Sequence, residues 1–423
     1  MKTTTLSPTA PPDTTRKVDA ERWPDVAACP RFGIRGGIAR LIFRQAIQRL
    51  DVRVLLPDGS TLGHGDDDSP IMVLHRPDDF FARVGTDGLI GFGESYLAGD
   101  YDSPDLAAFL TVLCAEIGTL VPLWMQRLRA LYVAREPDTE RNTAKQTRGN
   151  IARHYDLSNE MFAAFLDETM SYSSALFADL DQDETLENAQ RRKVDRILDR
   201  AGVTAGSRVL EIGTGWGELA IRAARRGARV RSVTLSTEQL ALARERIAAA
   251  GCSDAVEVDL CDYREVSGEY DAVVSVEMIE AVGHEYWPTY FAKVDKLLAP
   301  GGRAVIQAIT MPHDRMLATR NTWTWINKYI FPGGFLPSTE AIEQITSEHT
   351  GLRVVERFAM GRHYARTLAT WDARFAAAHD RIAALGFDRT FERMWHFYLS
   401  YSRAGFASGY LDVQQILLTR EGR

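Results

Sequence analysis

Three glycines alternate with other residues in the segment 209–217, which has the sequence VLEIGTGWG. Gly213, Gly215 and Gly217 follow an apolar run, and a helical pattern begins directly after the last glycine. Glycine allows a tight backbone turn and lets a ligand lie against the main chain. The segment therefore predicts a strand, a ligand-binding turn and a helix, with the acid Glu211 two residues before the first glycine.

The spacing of these glycines indicates which cofactor the turn binds. A turn that binds a nicotinamide dinucleotide has the pattern GxGxxG, and an acid stands at the end of the next strand. Here the pattern is GxGxG, and the next strand ends in Thr234, Leu235 and Ser236, without an acid. The pattern favours S-adenosylmethionine over NAD, and a turn that binds no ligand is the remaining alternative.

Strand and helix patterns alternate from residue 189 to residue 309, which predicts a doubly wound, Rossmann-like α/β sheet. The predicted strands are 208–212, 229–234, 255–258, 270–276 and 303–309, and the predicted helices are 189–201, 218–226, 237–250 and 287–298. Such sheets bind ligands beyond the carboxyl ends of their strands. The first site candidates are therefore the residues at those ends: Gly213, Thr234, Asp262, Glu280 and Gln307.

The composition narrows the class of protein. The chain has 423 residues, of which 45% are hydrophobic and 25% charged, as expected for a globular protein with two domains. Its net charge of −7 argues against general nucleic-acid binding. No apolar run approaches the roughly 20 residues of a membrane span. The four cysteines lack metal-ligand spacing, so we predict a cytoplasmic protein without a metal site.

Changes in composition divide the chain into four segments. Residues 1–20 are rich in Thr and Pro and are predicted to form a disordered tail, and residues 21–134 a small α+β domain. Residues 135–150 are polar and basic, and form either a solvated linker or a segment that faces phospholipid. The doubly wound domain is predicted over residues 151–423.

An aromatic insertion interrupts the α/β pattern at residues 320–338. An apolar insertion above the ligand-binding edge of a sheet suits a tunnel or lid for an acyl chain, which a small soluble acceptor would not need. The alternative is ordinary core around an inserted helix. Its aromatic residues are Trp323, Trp325, Tyr329, Phe331 and Phe335.

Six blocks in order make the chain similar to the cyclopropane-fatty-acyl-phospholipid synthases over most of its length. The blocks are HYDLSN (154–159), LDETMSYS (166–173), EIGTGWG (211–217), TLSTEQ (234–239), SVEMIEAVG (275–283) and WINKYIFPGG (325–334). Within the family, SVEMIEAVG and the block QAITMP (307–312) resemble the actinobacterial enzymes of tuberculostearic acid synthesis. The N-terminal block GFGESY (91–96) resembles the family's accessory domain for lipid or dimer contacts.

The resemblance implies an S-adenosylmethionine-dependent methyltransferase domain that acts on the cis double bond of an oleoyl chain in a membrane phospholipid. The expected product carries a 10-methylene group, which a flavin- or NADPH-dependent reductase would convert to the 10-methyl branch. The alternatives are a cyclopropane-fatty-acyl-phospholipid synthase, a methyltransferase for a small soluble acceptor, and a non-catalytic lipid-binding protein. Peripheral contact with the inner face of the membrane is also implied, and a homo-oligomer is compatible with it.

The family's active site is expected to hold bicarbonate as the base, inside a small polar cage. By resemblance, Glu280 is the cage carboxylate, Tyr364 is the cage tyrosine, and Ile309 contributes through its backbone. Ser174 and Gln307 stand where the family usually has a cysteine and a histidine. Both can form hydrogen bonds to an anion, but neither carries the charge of an imidazolium. These two departures weaken the case for ring formation and for dependence on bicarbonate.

The resemblance also assigns residues to the cofactor. The glycine turn lines its methionine end, a Tyr-Ser pair closes over it, and polar residues after the second strand contact the ribose. Tyr155 is a further expected active-site residue. The expected cofactor set is Tyr172, Ser173, Glu211, Gly213, Thr214, Gly215, Gly217, Thr234, Leu235, Ser236, Gln239, Asp262 and Tyr263.

Overall fold

A computed structural model describes residues 18–116 and 158–420. The chain divides into two compact units. Unit 1 comprises residues 18–109 and 388–397, and unit 2 comprises the remaining described residues. The predicted linker at 135–150 lies outside the described residues, as does nearly all of the predicted tail.

Residues 388–397 differ from the prediction, which placed them in the C-terminal domain. The Arg393 guanidinium donates hydrogen bonds to the carbonyl oxygens of Tyr96 at 2.7 Å and Tyr101 at 3.1 Å. It also forms an ion pair with Asp102 at 2.7 Å. These contacts, between residues far apart in sequence, fix the segment within unit 1.

Unit 1 combines a small sheet with short helices. Its elements are α1 (Pro24–Ala27), α2 (Ile34–Ile47), β1 (Arg53–Leu55), β2 (Thr61–Leu62), β3 (Ile71–Leu74), α3 (Pro77–Asp87), α4 (Leu89–Ala98) and β4 (Tyr101–Asp102). The sheet has the order β2-β1-β3-β4, with only the β1–β3 pair parallel. The rings of Phe43, Phe81, Phe92 and Tyr101 surround the buried ring of Phe80, so an aromatic cluster stabilises this unit.

Unit 2 is built on a seven-stranded sheet. Its strands are β5 (Arg208–Ile212), β6 (Arg229–Thr234), β7 (Val256–Leu260), β8 (Tyr270–Val276), β9 (Leu298–Thr310), β10 (Leu352–Ala359) and β11 (Asp412–Arg420). They are arranged in the order β10-β11-β9-β8-β5-β6-β7. All strands run in one direction except β11, which pairs with β9 and β10 in antiparallel fashion.

Helix α5 (Leu106–Ala115) begins in unit 1 and ends in unit 2. The described helices that follow it are α6 (Asn159–Phe165), α7 (Leu186–Arg200), α8 (Glu218–Arg225), α9 (Thr237–Ala249), α10 (Trp287–Leu297), α11 (His313–Thr319), α12 (Trp325–Tyr329), α13 (Thr339–His349), α14 (Gly361–Ala377), α15 (His379–Ala384) and α16 (Arg389–Ala407). Helix α16 contributes its first part to unit 1 and the rest to unit 2.

Alternation along the central strands places the hydrophobic core on both faces of the sheet. Leu210 and Val273 belong to one buried cluster, and their neighbours Val209 and Val274 belong to the other. Successive side chains of a strand point to opposite faces, so strands that are apolar throughout become buried on both sides. The carboxyl ends of β5, β6 and β8 are thereby fixed side by side.

Most of the predicted α/β elements are present, and β5, β6 and β8 have the predicted bounds. The five predicted strands are parallel to one another. The sheet also contains two strands that the sequence did not predict, β10 and β11, and β11 runs antiparallel to both of its neighbours. Strand β9 also begins earlier than predicted. It pairs with β8 at Leu298 and, after a register shift, again from Arg303, so residues 299–302 form an irregularity within the strand.

The aromatic insertion, residues 320–338, follows α11 and contains α12. Thr324 caps α12 by accepting a hydrogen bond from the amide of Asn327, whose side chain bonds back to the Thr324 amide. Trp325 is buried in this region. No helix among residues 18–116 and 158–420 is long and apolar enough to span a membrane.

Candidate active site

The glycine turn has the backbone conformation that the sequence requires. Gly213, Gly215 and Gly217 have φ angles of +96°, +53° and +91°, which side-chain-bearing residues rarely adopt. The amides of Gly213 and Thr214 donate to the carbonyl oxygen of Val233, at the end of β6. A Cβ added at Gly215 would meet no atom within 4 Å. The turn therefore leaves open space where a cofactor could approach the main chain.

Glu211 lies beneath this turn and anchors it through side chains. The Ser232 hydroxyl lies 2.6 Å from the Glu211 carboxylate and 2.7 Å from the Thr214 hydroxyl. Burial raises the pKa of Glu211 to about 8, against the opposing effects of the Ser232 hydrogen bond and the charge of Lys193. Glu211 thus supports the turn from within β5.

The polar residues expected near the ribose bond to one another. The Thr234 hydroxyl donates to the Gln239 side chain at 3.0 Å and accepts from the Ser236 amide. Ser236 caps α9 by accepting from the Gln239 amide. Leu235 is half-buried between them. These residues shape the end of β6, and their role toward a cofactor stays a prediction.

The expected adenine-edge residues follow β7. Asp262 accepts hydrogen bonds from the amide and guanidinium of Arg264, so it caps a short 3₁₀ turn. The Tyr263 ring packs edge-on against Tyr290, with 5.5 Å between centroids. Burial raises the pKa of Tyr263 to about 12, and its hydroxyl has no partner among the described residues. Tyr263 thus carries a buried hydroxyl whose hydrogen-bonding capacity is unused by the described residues.

Tyr172 forms part of an aromatic wall beside the glycine turn. Its ring lies 5.2 Å from that of Trp371 and 5.1 Å from that of Phe162, which in turn lies 5.1 Å from Trp216 of the turn. The Tyr172 and Tyr398 hydroxyls are 2.9 Å apart. The wall therefore connects the predicted closing residue with the cofactor turn.

Ser173 and Lys193 form a buried pair next to this wall. The Lys193 ammonium donates to the Ser173 hydroxyl at 2.6 Å. Burial lowers the pKa of Lys193 to about 8, and nearby carboxylates, Glu277 first among them, oppose that effect. A buried cation thus lies close to acidic groups of the site.

Glu277 lies at the centre of the predicted cage. One carboxylate oxygen accepts from the Ser174 amide at 2.9 Å and the Gln307 side-chain amide at 2.7 Å, and the other accepts from the Tyr364 hydroxyl at 2.8 Å. Burial raises the pKa of Glu277, while these hydrogen bonds and the charge of Lys193 oppose the rise. Three predicted cage residues therefore meet around a carboxylate of the chain itself.

Glu280 lies three residues further along the chain, in the 3₁₀ turn Ile279–Ala281. One carboxylate oxygen accepts from the Ile309 amide at 2.6 Å. The other oxygen is buried and has no hydrogen-bond partner within the described part of the chain. Burial and then the charge of Glu277 raise the pKa of Glu280 to about 8. Burial and the neighbouring carboxylate thus favour the protonated form of Glu280.

The aromatic insertion contacts the Glu280 turn directly. The Phe335 amide donates to the Glu280 carbonyl oxygen at 2.9 Å. The Asn327 side chain, from α12, donates to the Gly334 carbonyl oxygen at 2.7 Å and so holds the loop that carries Phe335. The insertion and the two carboxyl groups form one packed assembly within unit 2.

A family model described as mycolic acid cyclopropane synthetase matches residues 142–416, well over half of the chain. The chain belongs to this family. Tuberculostearic acid methyltransferase UfaA1 of Mycobacterium tuberculosis is 56% identical over 413 residues, covering 96% of this chain and 97% of that protein. The cyclopropane-fatty-acyl-phospholipid synthase of Escherichia coli K12 is 34% identical and covers 83% of this chain and 88% of its own.

Solved structures of cyclopropane synthases have the same fold. MmaA2 of Mycobacterium tuberculosis matches with a TM-score of 0.59 and 31% identity, over 64% of this chain and 97% of that one. CmaA1, complexed with SAH and CTAB, matches with a TM-score of 0.59 and 30% identity, over 67% of this chain and 98% of that one. The predicted resemblance, the predicted doubly wound α/β fold and the prediction of a methyltransferase are confirmed, and the fold is that of the class I methyltransferases.

Sequence reasoning missed Glu277 and Lys193 as residues of this family member's site. Ligands bind beyond the carboxyl ends of the strands, and Glu277 directly follows the end of β8. By this criterion Glu277 was a better candidate than Glu280, which lies three residues further on. For Lys193 the signal was a lysine on the buried face of α7, where a charged residue is rare. Tyr155 lies outside the described residues, and among those that are described no group of acidic, His or Cys side chains could hold a metal ion.

Proposed function

We propose that this family member methylates the cis double bond of an oleoyl phospholipid, using S-adenosylmethionine, and yields a 10-methylene-octadecanoyl chain. The observation that carries the proposal is a buried pair of carboxyl groups, Glu277 and Glu280, between the glycine turn and the aromatic insertion. The relatives named for tuberculostearic acid methylation and for cyclopropane-fatty-acyl-phospholipid synthesis support an acyl-chain substrate.

The glycine turn fits S-adenosylmethionine, because open space borders Gly215 and the Tyr263 hydroxyl lacks a partner among the described residues. When bound, this cofactor supplies an electrophilic methyl group. Residues of the turn, Tyr172 and the polar residues after β6 would hold it. The solved structure of CmaA1 with SAH supports a cofactor of this kind.

The described residues suit the demands of alkene methylation. Addition of a methyl group to an alkene leaves a carbocation on the neighbouring carbon, which must be shielded from water and lose one proton. The aromatic rings of Tyr172 and Trp371 offer π faces that stabilise positive charge. The buried carboxyl groups offer negative charge and a place for the proton.

The residues at positions 174 and 307 support the methylene product over a cyclopropane. Ser174 and Gln307 are both neutral, and the Gln307 side chain is already bound to Glu277 and Gln415. With neutral residues at both positions, we expect a hydride shift to the neighbouring cationic carbon to precede proton removal. The methyl-bearing carbon then carries the charge, and proton loss from its methyl group gives the methylene.

We expect purified protein, incubated with S-adenosylmethionine and vesicles of dioleoyl phospholipid, to form 10-methylene-octadecanoyl chains. Gas chromatography of the methyl esters separates this product from its cyclopropane isomer. A cyclopropane product without methylene would establish the alternative, a cyclopropane-fatty-acyl-phospholipid synthase. Binding of lipid and cofactor without any product would instead count against the oleoyl phospholipid as the substrate.

Peripheral contact with a membrane is part of the proposal, and an exposed stripe on α2 supports it. Ile34, Ile38 and Leu41 are 86%, 50% and 58% exposed and recur at helical spacing along one face. Arg35 and Arg44 are exposed and lie at opposite flanks of this stripe. An apolar stripe between two cations matches the interface of an anionic lipid surface.

Replacing Ile34 and Leu41 by Ser is expected to weaken binding to anionic vesicles by roughly tenfold, because both apolar side chains would leave the interface. Co-sedimentation with phosphatidylglycerol vesicles measures this, and Val355→Ser, which changes an exposed apolar residue of unit 2, is the control. Unchanged vesicle binding together with a loss of self-association in light scattering would assign the stripe to a homo-oligomer instead.

The remaining parts of the proposal follow from the substrate. A phospholipid chain is reached from the membrane surface, so we propose a cytoplasmic enzyme at the inner face. The 10-methylene product is an alkene, and its conversion to a methyl branch requires a separate flavin- or NADPH-dependent reductase.

A further inference from the structure

We propose that Glu277 is a built-in carboxylate that occupies the cage where the family resemblance implies bicarbonate, and that it accepts the proton lost by the product. This inference rests on the proposed methyl transfer and names the base of that same site. It makes the enzyme independent of bicarbonate.

The donors of the cage are already engaged. The Ser174 amide, the Gln307 side chain and the Tyr364 hydroxyl lie 2.9, 2.7 and 2.8 Å from the oxygens of Glu277. The Gln307 side-chain oxygen in turn accepts from Gln415 at 3.1 Å, which fixes the orientation of its amide nitrogen toward Glu277. A separate anion would have to displace Glu277 from all three donors. The residues present therefore do not fit bicarbonate.

The neutral residues at two cage positions suit an internal carboxylate. A carboxylate tethered to the backbone needs no imidazolium to recruit it, because its local concentration is fixed by the fold. The Ser174 hydroxyl donates to the Ala175 carbonyl oxygen at 3.1 Å, and only its backbone amide contacts Glu277. Ser174 and Gln307, which replace the cysteine and histidine, thus occur together with an internal carboxylate, that of Glu277.

The backbone at Glu277 supports a functional role. Its φ angle is +49°, and Met170 is the only other non-glycine residue of the described chain with a positive φ. Such conformations persist where the surrounding structure imposes them, and they concentrate at active sites. Next to it, Met278 would lie 3.5 Å from a Cβ placed on Gly213 of the cofactor turn. Glu277 is therefore held at the edge of the cofactor turn.

The two carboxyl groups have different environments, which assigns their protonation states. Glu277 accepts three hydrogen bonds, whereas Glu280 accepts one, from the Ile309 amide. Burial raises the pKa of both carboxyl groups; the hydrogen bonds and the charge of Lys193 oppose the rise at Glu277, whereas the charge of Glu277 adds to the rise at Glu280. Two interacting acids in such unequal sites divide into one ionised and one protonated group. The three hydrogen-bond donors around Glu277 assign the ionised state to that group.

The loss of the proton can be written with Glu277 as its acceptor. After the hydride shift, a C–H bond of the new methyl group breaks, and its electron pair forms the second bond of the exocyclic methylene. The proton passes to the Glu277 oxygen that also accepts from Tyr364. It leaves for solvent after product release, which restores the carboxylate. No oxidant, reductant or added base takes part.

Three measurements test the assignment, each on the full-length chain with vesicles of dioleoyl phosphatidylglycerol. Wild-type turnover is expected to stay constant when bicarbonate is removed from the buffer by degassing. Glu277→Gln is expected to retain cofactor affinity and to lose turnover by on the order of 100-fold or more. Glu277→Gly, which suits the positive φ, is expected to regain at least tenfold on addition of formate or bicarbonate. Glu257→Gln, at an exposed position, is the control.

A binding experiment separates this proposal from the proposed function. Carbon-13 NMR with labelled bicarbonate is expected to show no binding to the wild type and binding to Glu277→Gly. This result would support Glu277 as the occupant of the cage even if no lipid product formed, and the proposed substrate alone would then be wrong. Binding of labelled bicarbonate to the wild type, loss of turnover on degassing, or a Glu277→Gln variant with more than a tenth of wild-type turnover would overturn the assignment.

Discussion

Gly215→Val is expected to abolish measurable binding of S-adenosylmethionine, with a loss of affinity of at least about 100-fold. The φ angle of Gly215 is +53°, and a β-branched residue is strained in that region. The position has open space around an added Cβ, so valine would project into the volume that the cofactor needs. Strain and obstruction act together on the same turn.

A matched variant separates these two causes. Gly251 has a φ angle of +69° and equally open space, but it lies after α9, away from the cofactor turn. Gly251→Val should therefore carry a similar strain and keep its cofactor affinity. Isothermal titration calorimetry and circular dichroism of both variants give the comparison. Near-normal affinity in a folded Gly215→Val protein would show that the cofactor does not bind at this turn.

Much of the fold could be predicted because its signals are local. Strands β5, β6 and β8 are apolar runs between breakers, and their bounds follow from the sequence alone. The glycine turn is equally local, since each residue of the turn lies within a few positions of the next. Strand β11 was missed because its place between β9 and β10 is decided by pairing with strands far away in sequence.

The site shows the same division between local and distant signals. The Ser174–Glu277 and Tyr364–Glu277 bonds join residues 103 and 87 positions apart. Individual cage residues could be proposed from the family blocks, but the group at their centre could not. Glu277 sits inside one of those blocks, and only the folded chain brings three donors to its carboxylate.

Glu280 is expected to matter as a neutral hydrogen-bonding group, which gives a specific order among its variants. Its pKa is raised to about 8, first by burial and then by the charge of Glu277, so the protonated form prevails at pH 7. Glutamine has the shape of a protonated glutamate and can still accept from the Ile309 amide. Glu280→Gln should therefore lose no more than about tenfold in turnover at pH 7.

Glu280→Ala should lose on the order of 100-fold or more, because it leaves the half-buried Ile309 amide without its acceptor and opens space beside Glu277. Turnover at saturating cofactor, with cofactor affinity measured separately, is the readout, and Glu285→Ala, at an exposed acid of the same region, is the control. The comparison of turnover between the two variants is the test. If Glu280→Gln were as inactive as Glu280→Ala, ionisation of Glu280 would be required for turnover, and the proton acceptor would have to be sought there rather than at Glu277.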